Sequence, residues 1–327
     1  MLPADPDRPG PRVAAVVDVG SNSVHLLVAA LEGRELRPLA DESVFLGLGD
    51  AVADRSALGP DLRAELVAAL RRYAEAATVL GDPAPLLLAT EPLRAAADAG
   101  LAVADCAAAT GLELVVLTAA EEGLLTALGV TGGRPVARST LVIDLGGGST
   151  DCVLLDPAAG VAADWTIPTG SARLTRALRP DDPPAAGQLA RLRELAEAAL
   201  AGSPVPPAAE LVFVGGTASN VLRVVRGVTA GPLRAGDVAA VLAVVAAERA
   251  APLATRIGLN PRRAPLLPAG AALLAALLDR WPGAAARGSD ASLREGAVLA
   301  HATAGDAWRA RLAQLLGGAA TGERGRA

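Results

Sequence analysis

Apolar residues along this chain gather in two ways: short unbroken runs that stop at glycine, and longer stretches in which leucine, valine and alanine recur at helical spacing. Val13–Val19 and Val24–Leu31 are runs of the first kind, separated by Gly20, Ser21, Asn22 and Ser23. Thr140–Leu155, TLVIDLGGGSTDCVLL, repeats the arrangement around Gly146, Gly147, Gly148 and Ser149. Each pattern predicts strand, tight turn, strand. Between the two hairpins the pattern predicts a third strand and a loop over Asp41–Asp54, a covering helix from Gly59 to Leu80, and a short buried strand at Pro85–Ala89. A strand at Leu114–Leu117 and a helix over Thr118–Val130 follow, and Gly132, Gly133 and Pro135 then punctuate the chain. Beyond the second hairpin the expectation is an amphipathic helix over Ala186–Ala201 and a strand at Leu211–Val214 that turns through Gly215, Gly216 and Thr217 into a helix. Alanine-rich helices at Asp237–Ala250, Ala264–Asp279 and Leu293–Arg311 complete it. The terminal stretches MLPADPDRPGPRV and GGAATGERGRA read as loose tails.

The two hairpins are copies of one design. Val16–Ser23, VVDVGSNS, and Val142–Ser149, VIDLGGGS, agree in register at apolar, apolar, Asp, apolar, Gly and Ser. Such a repeat suggests two similar half-molecules, each with a glycine turn and a carboxylate, Asp18 or Asp144, at a strand end. Glycine has no side chain to obstruct a ligand and tolerates positive φ, so a glycine turn can aim backbone N–H groups at an anion. Ser149 and Thr150 add hydroxyl donors. Taken singly, GGG also suits an ordinary hairpin, and Asp18 also suits a turn cap. Facing one another across a cleft, the two turns could hold a run of phosphates and a divalent cation. Gly215, Gly216 and Thr217 offer a third anion-ready corner, because a helix N-terminus leaves N–H groups unpaired.

Composition narrows the classes. At 327 residues the chain is long enough for two domains with their own cores. A net charge of −5 and an aromatic content of 2% argue against a nucleic-acid surface built on basic patches and stacking rings. Every strong base is arginine, so a P-loop of the GxxxxGK[ST] kind is excluded for want of its lysine. Cys106 and Cys152 sit in apolar contexts far apart, which fits reduced core thiols and a cytoplasmic protein. No apolar run is long enough for a membrane span, and the first residues lack the pattern of a signal peptide. His25 lies among apolar neighbours, and with one other histidine in the chain no metal cluster can be assembled from histidines; it reads as packed in its strand.

DVGSNSVHLLV, ATEPLRAA, EEGLLTALGV, IDLGGGSTD, IPTGSARLTR, GGTASN and LREG, in that order, resemble the exopolyphosphatase/guanosine pentaphosphate phosphatase family of the sugar kinase/Hsp70/actin superfamily. The resemblance implies an α/β fold of two actin-like (ribonuclease H-like) domains, with mixed sheets flanked by helices and the active site in the cleft between them. It places the domains at residues 1–130 and 131–327, with a C-terminal helix near residues 300–316 packing back on the first. In the family the ATEPLR segment supplies a phosphate-contacting arginine, here Arg94, whose other reading is a solvated helix residue. The general base proposed for the family falls in EEGLLTALGV, and position selects Glu122, with Glu121 its neighbour. Acidic residues also suit a first helical turn without any chemistry. Asp151 stands where GGGSTE usually carries glutamate, and Asp98 where asparagine is usual. Gly170 and Ser171 line the cleft on this reading, and Arg173 is structural.

The implied chemistry is hydrolysis of a phosphoanhydride. The loops Gly20–Ser23 and Gly146–Thr150 grip the phosphates, with Gly215–Thr217 beside them. Magnesium or manganese sits near Asp18 and Asp144, Arg94 steadies the terminal group, and Glu122 activates water. The substrate is inorganic polyphosphate or guanosine pentaphosphate, and the chain's short ending after LREG makes very long polyphosphate the less secure choice. A catalytically weak nucleotide or alarmone sensor of the same fold, or a superfamily ATPase or kinase, would use similar loops. The family often forms dimers.

Overall fold

A computed structural model describes residues 12–317, so the expected tails lie outside it apart from Arg12, Val13 and Gly317. Arg12 and Val13 belong to the first strand rather than to a tail. The strands are β1 (Arg12–Val19), β2 (Ser23–Glu32), β3 (Glu35–Phe45), β4 (Leu86–Ala89) and β5 (Leu114–Val116), which form one sheet in the order β3-β2-β1-β4-β5. β6 (Thr140–Leu145), β7 (Thr150–Asp156), β8 (Gly160–Ile167), β9 (Glu210–Val214), β10 (Gly231–Pro232) and β11 (Ala285–Gly288) form a second, in the order β10-β11-β9-β6-β7-β8. In each sheet three strands run as an antiparallel meander, and two parallel strands extend the sheet beyond the meander's first strand, with the short antiparallel β10 added at the edge of the second. The hairpin repeat in the sequence is therefore a repeat of topology.

The unbroken apolar runs have a simple cause: both faces of the central strands are covered. Side chains alternate faces along a strand, so Ala15, Val17 and Val19 enter one core and Ala14 and Val16 another. In β6, Leu141, Ile143 and Leu145 pack outward while Val142 joins Ala14 and Val16 in a core between the two sheets. Helices Ala119–Thr131 and Leu293–Ala304 fill that middle core through Leu125, Leu128, Val298 and Leu299. Trp308 and Leu312 of the last helix join them there, against the helices Ala119–Thr131 and Leu293–Ala304. A boundary drawn between residues 130 and 131 separates the two sheets, while the helix Ala119–Thr131 lies against strands of the second.

The two middle helices meet backbone to backbone. A Cβ on Gly129 would run into the carbonyl of Ser292, and one on Gly296 into the carbonyl of Leu125. Only glycine allows helix axes this close, which fixes how the two sheets sit about the space between them.

Several elements differ from the sequence expectation. The third strand begins at Glu35 and tolerates Pro38 because β3 is an edge strand, and Leu48–Arg55 is helix rather than loop. The C-terminal helix breaks at Gly305, whose φ of 52° a side chain would resist. Strands β8 and β11 and the helix Ala99–Thr110 carry too little periodicity to have been expected. No helix among the described residues is long and apolar enough to cross a membrane.

Candidate active site

The two glycine turns open on one cleft of about 700 Å³ between the sheets. In both turns the first glycine amide closes the hairpin: Gly20 N donates to Ser23 O and Gly146 N to Ser149 O, each at 3.0 Å. Gly20 and Gly146 are therefore not backbone donors to a ligand, and the N–H groups left for one come from later positions. The turn carbonyls are held from outside. Those of Ser21 and Asn22 accept from the amides of Gly49, Leu46 and Gly47, and those of Gly146 and Gly147 from Ser171, Ala172 and Arg173. With their carbonyls tied back, Ser21, Asn22, Gly147 and Gly148 keep amides that make no hydrogen bond among the described residues. Paired N–H groups of this kind form an anion cradle. Gly170 packs so tightly on the second turn that its Cβ would lie 2.5 Å from the Gly147 carbonyl oxygen, so that position admits no side chain.

Asp18 follows Ala14 and Val16 at the two-residue period, and Asp144 follows Val142, so both carboxylates finish the inner faces of their sheets. The register pairs Asp18 with His25 and Asp144 with Asp151. All four line the cleft. Burial pushes Asp18 up to about 6. Burial, then Asp151 and, more weakly, Asp18, push Asp144 up to about 7. Thr126 donates to Asp144 at 3.2 Å, whereas Asp18 Oδ1 is buried with no hydrogen-bond partner. A buried carboxylate oxygen without a donor is costly unless a cation or a proton satisfies it.

Glu122 and Thr126 stand one turn apart on the helix Ala119–Thr131, so the residue that holds Asp144 and the predicted base share a helix face. Thr118 caps this helix, and it is Glu121 that returns the capping bond, at 2.8 Å to the Thr118 amide. Glu121 also pairs with Arg309 at 2.6 Å, so it is a structural acid. Glu122 is free of the cap and turns into the cleft, where its side chain is 14% exposed. Burial first, then Asp151, raise it to about 8, against Arg94, which donates to it at 2.7 Å. Arg94 also donates to the Leu117 carbonyl at 2.9 Å. Its guanidinium is thus committed to Glu122 and the adjacent strand end.

Ser21, Asn22, Ser23, Gly147, Gly148, Ser149, Gly215, Gly216 and Thr217 all border the cleft. Thr150 is fully buried and its hydroxyl donates to the Thr169 carbonyl at 2.8 Å, so it braces the turn from behind. Asp151 accepts from Thr166 at 2.6 Å and from Ser149 at 3.1 Å. Those bonds occupy the shorter acid that stands where a glutamate was expected.

Some cleft residues were given no role in the site from sequence. Glu91 opens the helix Glu91–Ala95, accepts from Ser21 at 3.3 Å, and lies 3.7 Å from Arg173 and against Gly148. Arg173, read from sequence as structural, also donates to the Gly148 carbonyl at 3.0 Å. Arg223, Arg263 and Arg294 also border the cleft. The one signal for Arg223 was its helical spacing from Gly216 and Asn220, which places the three on one face.

The family model described as the Ppx/GppA phosphatase family matches residues 27–304. The chain belongs to the Ppx/GppA phosphatase family. It is 30% identical over 308 residues to Exopolyphosphatase 1 of Mycobacterium tuberculosis, covering 87% of this chain and 86% of that protein. Exopolyphosphatase 2 of the same organism is 31% identical over 233 residues, covering 67% of this chain and 72% of the relative. Among solved structures, the Aquifex aeolicus family member superposes with a TM-score of 0.79 at 24% identity, covering 90% of this chain and 98% of that one. An exopolyphosphatase from Cytophaga hutchinsonii gives 0.75 at 18% identity, covering 87% and 96%. The fold is accordingly the two-domain, actin-like fold of Ppx/GppA proteins.

Proposed function

We propose that this Ppx/GppA protein is a phosphoanhydride hydrolase that releases the terminal phosphate of inorganic polyphosphate, with guanosine pentaphosphate as the second candidate substrate. The observation that carries this reading is the meeting, in one cleft, of Asp18 and Asp144 from equivalent positions of the two sheets with the buried acid Glu122. The names of the curated relatives support polyphosphate as the substrate class.

The unbonded amides of Ser21, Asn22, Gly147 and Gly148 bind phosphate oxygens, and the Ser23 hydroxyl, which accepts from Arg263, keeps its own hydrogen to add a donor. Glu122 takes the proton of the attacking water at one of its carboxylate oxygens. A base of pKa close to the working pH suits that task, because it is available unprotonated and still accepts readily. Arg94 opposes the rise in the proton affinity of Glu122 that burial and Asp151 cause, and its hydrogen bond fixes the carboxylate's orientation.

Asp18 and Asp144 would hold magnesium or manganese. Among the described residues no group of three or more protein ligands is arranged for a metal. Magnesium needs no such cage, since it keeps several waters and binds through one or two carboxylates plus substrate phosphates. The donor-free Asp18 Oδ1 and the raised pKa values of both aspartates, each pushed up first by burial, fit a cation there. When bound, it would neutralise charge on the phosphate oxygens.

The test is phosphate release by purified protein from polyphosphate, guanosine pentaphosphate and ATP in parallel, with magnesium present. Release from either of the first two with ATP inert supports the reading. ATP turnover alone indicates a superfamily ATPase, and binding without release of any phosphate indicates a sensor.

A further inference from the structure

A second cavity, of about 360 Å³, lies against the helix Ser171–Leu178, on the face that carries Ala172, Thr175 and Arg176. Val245, Leu253, Pro265, Leu266 and Pro268 give it apolar walls. Asp50, from the helix Leu48–Arg55, is its one lining residue from the first sheet's half of the chain. Leu266 alone borders both this space and the cleft, and no residue assigned above to phosphate, cation or proton lines it.

The walls are nevertheless tied to both glycine turns. Ser171, Ala172 and Arg173 donate their amides to the Gly146 and Gly147 carbonyls, so the helix that walls the cavity also holds the second turn. On the other side, Asp50 follows Gly49, whose amide holds the Ser21 carbonyl of the first turn at 2.7 Å. Arg176 donates to Asp50 at 2.6 Å. One ion pair beside the cavity therefore joins the segment that holds the first turn to the helix that holds the second.

The lining sets the class of occupant. A space of this volume suits one small molecule and is too narrow for a partner's helix. Its apolar walls favour an apolar body. Four carboxylates, Asp50, Asp181, Asp182 and Glu248, border it against two guanidiniums, Arg176 and Arg179. Arg176 is taken by Asp50, and Glu248 by Arg256 at 2.5 Å. Asp182 gives one oxygen to the Ala250 amide at 2.7 Å, and among the described residues neither Asp181 nor Arg179 has an ion-pair partner. Two carboxylates thus remain against one guanidinium, a balance that repels phosphates and attracts a cation.

We propose that this cavity is a regulatory site for a small apolar amine, whose body fills the space and whose ammonium sits among the carboxylates at its edge. There the ammonium competes with Arg176 for Asp50 and loosens a link that keeps the two turns at a fixed spacing, so an occupied cavity weakens the grip on phosphates. Binding stands apart from the function proposed above; its effect on turnover rests on that reading.

The probe is tryptamine, with indole-3-propionate as its anionic counterpart. Calorimetric titration should give a Kd for tryptamine of about 1 mM or tighter, at least about threefold tighter than for the acid, the scale of a partly exposed charge interaction. Ala250→Phe puts a ring into the space from the exposed start of the helix Ala250–Ile257 and should weaken tryptamine binding by about tenfold or more. Asp181→Asn, at an exposed position where it disturbs no bond of the side chain, should reduce the preference for the amine about twofold. In phosphate release, saturating tryptamine should raise KM for polyphosphate about two- to fivefold with little change in kcat. Arg176→Gln, without the ion pair, should start with a raised KM and still bind tryptamine, which should then add nothing. No saturable tryptamine binding, binding that folded Ala250→Phe protein retains in full, or equal binding of the indole acid overturns the site. Binding without a change in KM overturns the regulation. If wild type releases phosphate from no substrate, the titrations decide the site by themselves, and it is the hydrolase reading that fails.

Discussion

Arg94 donates to Glu122 at 2.7 Å from the fourth residue of the short helix Glu91–Ala95 that follows β4, and this pair tunes the proton affinity of the proposed base. Glu122 is already raised to about 8 by burial and by Asp151, and Arg94 is the principal influence in the other direction. Arg94→Gln should therefore move the rising limb of kcat/KM to higher pH by about one unit or more, the usual scale for loss of an adjacent opposite charge. A pH–rate profile checks this; a limb that stays in place would show that Glu122 is not the titrating base.

The same burial makes stability depend on pH. Asp18, Asp144 and Glu122 are raised to about 6, 7 and 8, above their values in an unfolded chain. As pH rises the unfolded chain loses these protons first, so stability is fullest below about pH 4 on this account and is lost as pH climbs through about 6 to 8. In a chelator, Tm should fall across that window, and magnesium should offset the fall by binding the ionised aspartates. Thermal melts at several pH values, with and without magnesium, decide it.

Gly129 and Gly296 bring the two middle helices into backbone contact. Gly296→Ala should destabilise by at least about 1–3 kcal/mol, the range for forced overpacking, because carbonyl and amide atoms cannot yield as a side chain can. Gly187, in the helix Ala186–Leu200 with nothing near its Cβ, is the control. Gly187→Ala should be neutral or stabilising by up to about 1 kcal/mol. Urea unfolding of the two variants gives the comparison.

Glu91 places a carboxylate against Gly148 and the Ser21 hydroxyl, beside both turns that are proposed to take phosphate. Glu91→Gln should lower KM for a polyanionic substrate by roughly two- to fivefold with little change in kcat, the scale of a partly exposed charge interaction. Steady-state kinetics on polyphosphate test this, and a raised KM would mean that Glu91 helps to organise the turns for substrate.

Much of this was legible in the chain because physical constraints left local marks. Doubly covered strands wrote unbroken apolar runs, and the duplicated hairpin wrote VVDVGSNS and VIDLGGGS. Alternation along those strands put Asp18 and Asp144 on inner faces. The capping bond occupies Glu121 and leaves Glu122, the residue that position in EEGLLTALGV selects, to line the cleft. What stayed hidden depends on long-range approach. Gly20 and Gly146 close their own turns, a fact about hydrogen bonds and not about composition. Thr150 faces Thr169, nineteen residues away, and Arg263 reaches Ser23 from the far end of the chain. Neither partnership leaves a periodic trace.

The most direct measurement is phosphate release from polyphosphate by wild type and Glu122→Gln protein, assayed together with magnesium and matched for folding by circular dichroism. Loss of one general base predicts a fall of about a hundredfold or more in kcat for the variant. A folded Glu122→Gln protein that releases phosphate at the wild-type rate would contradict the account.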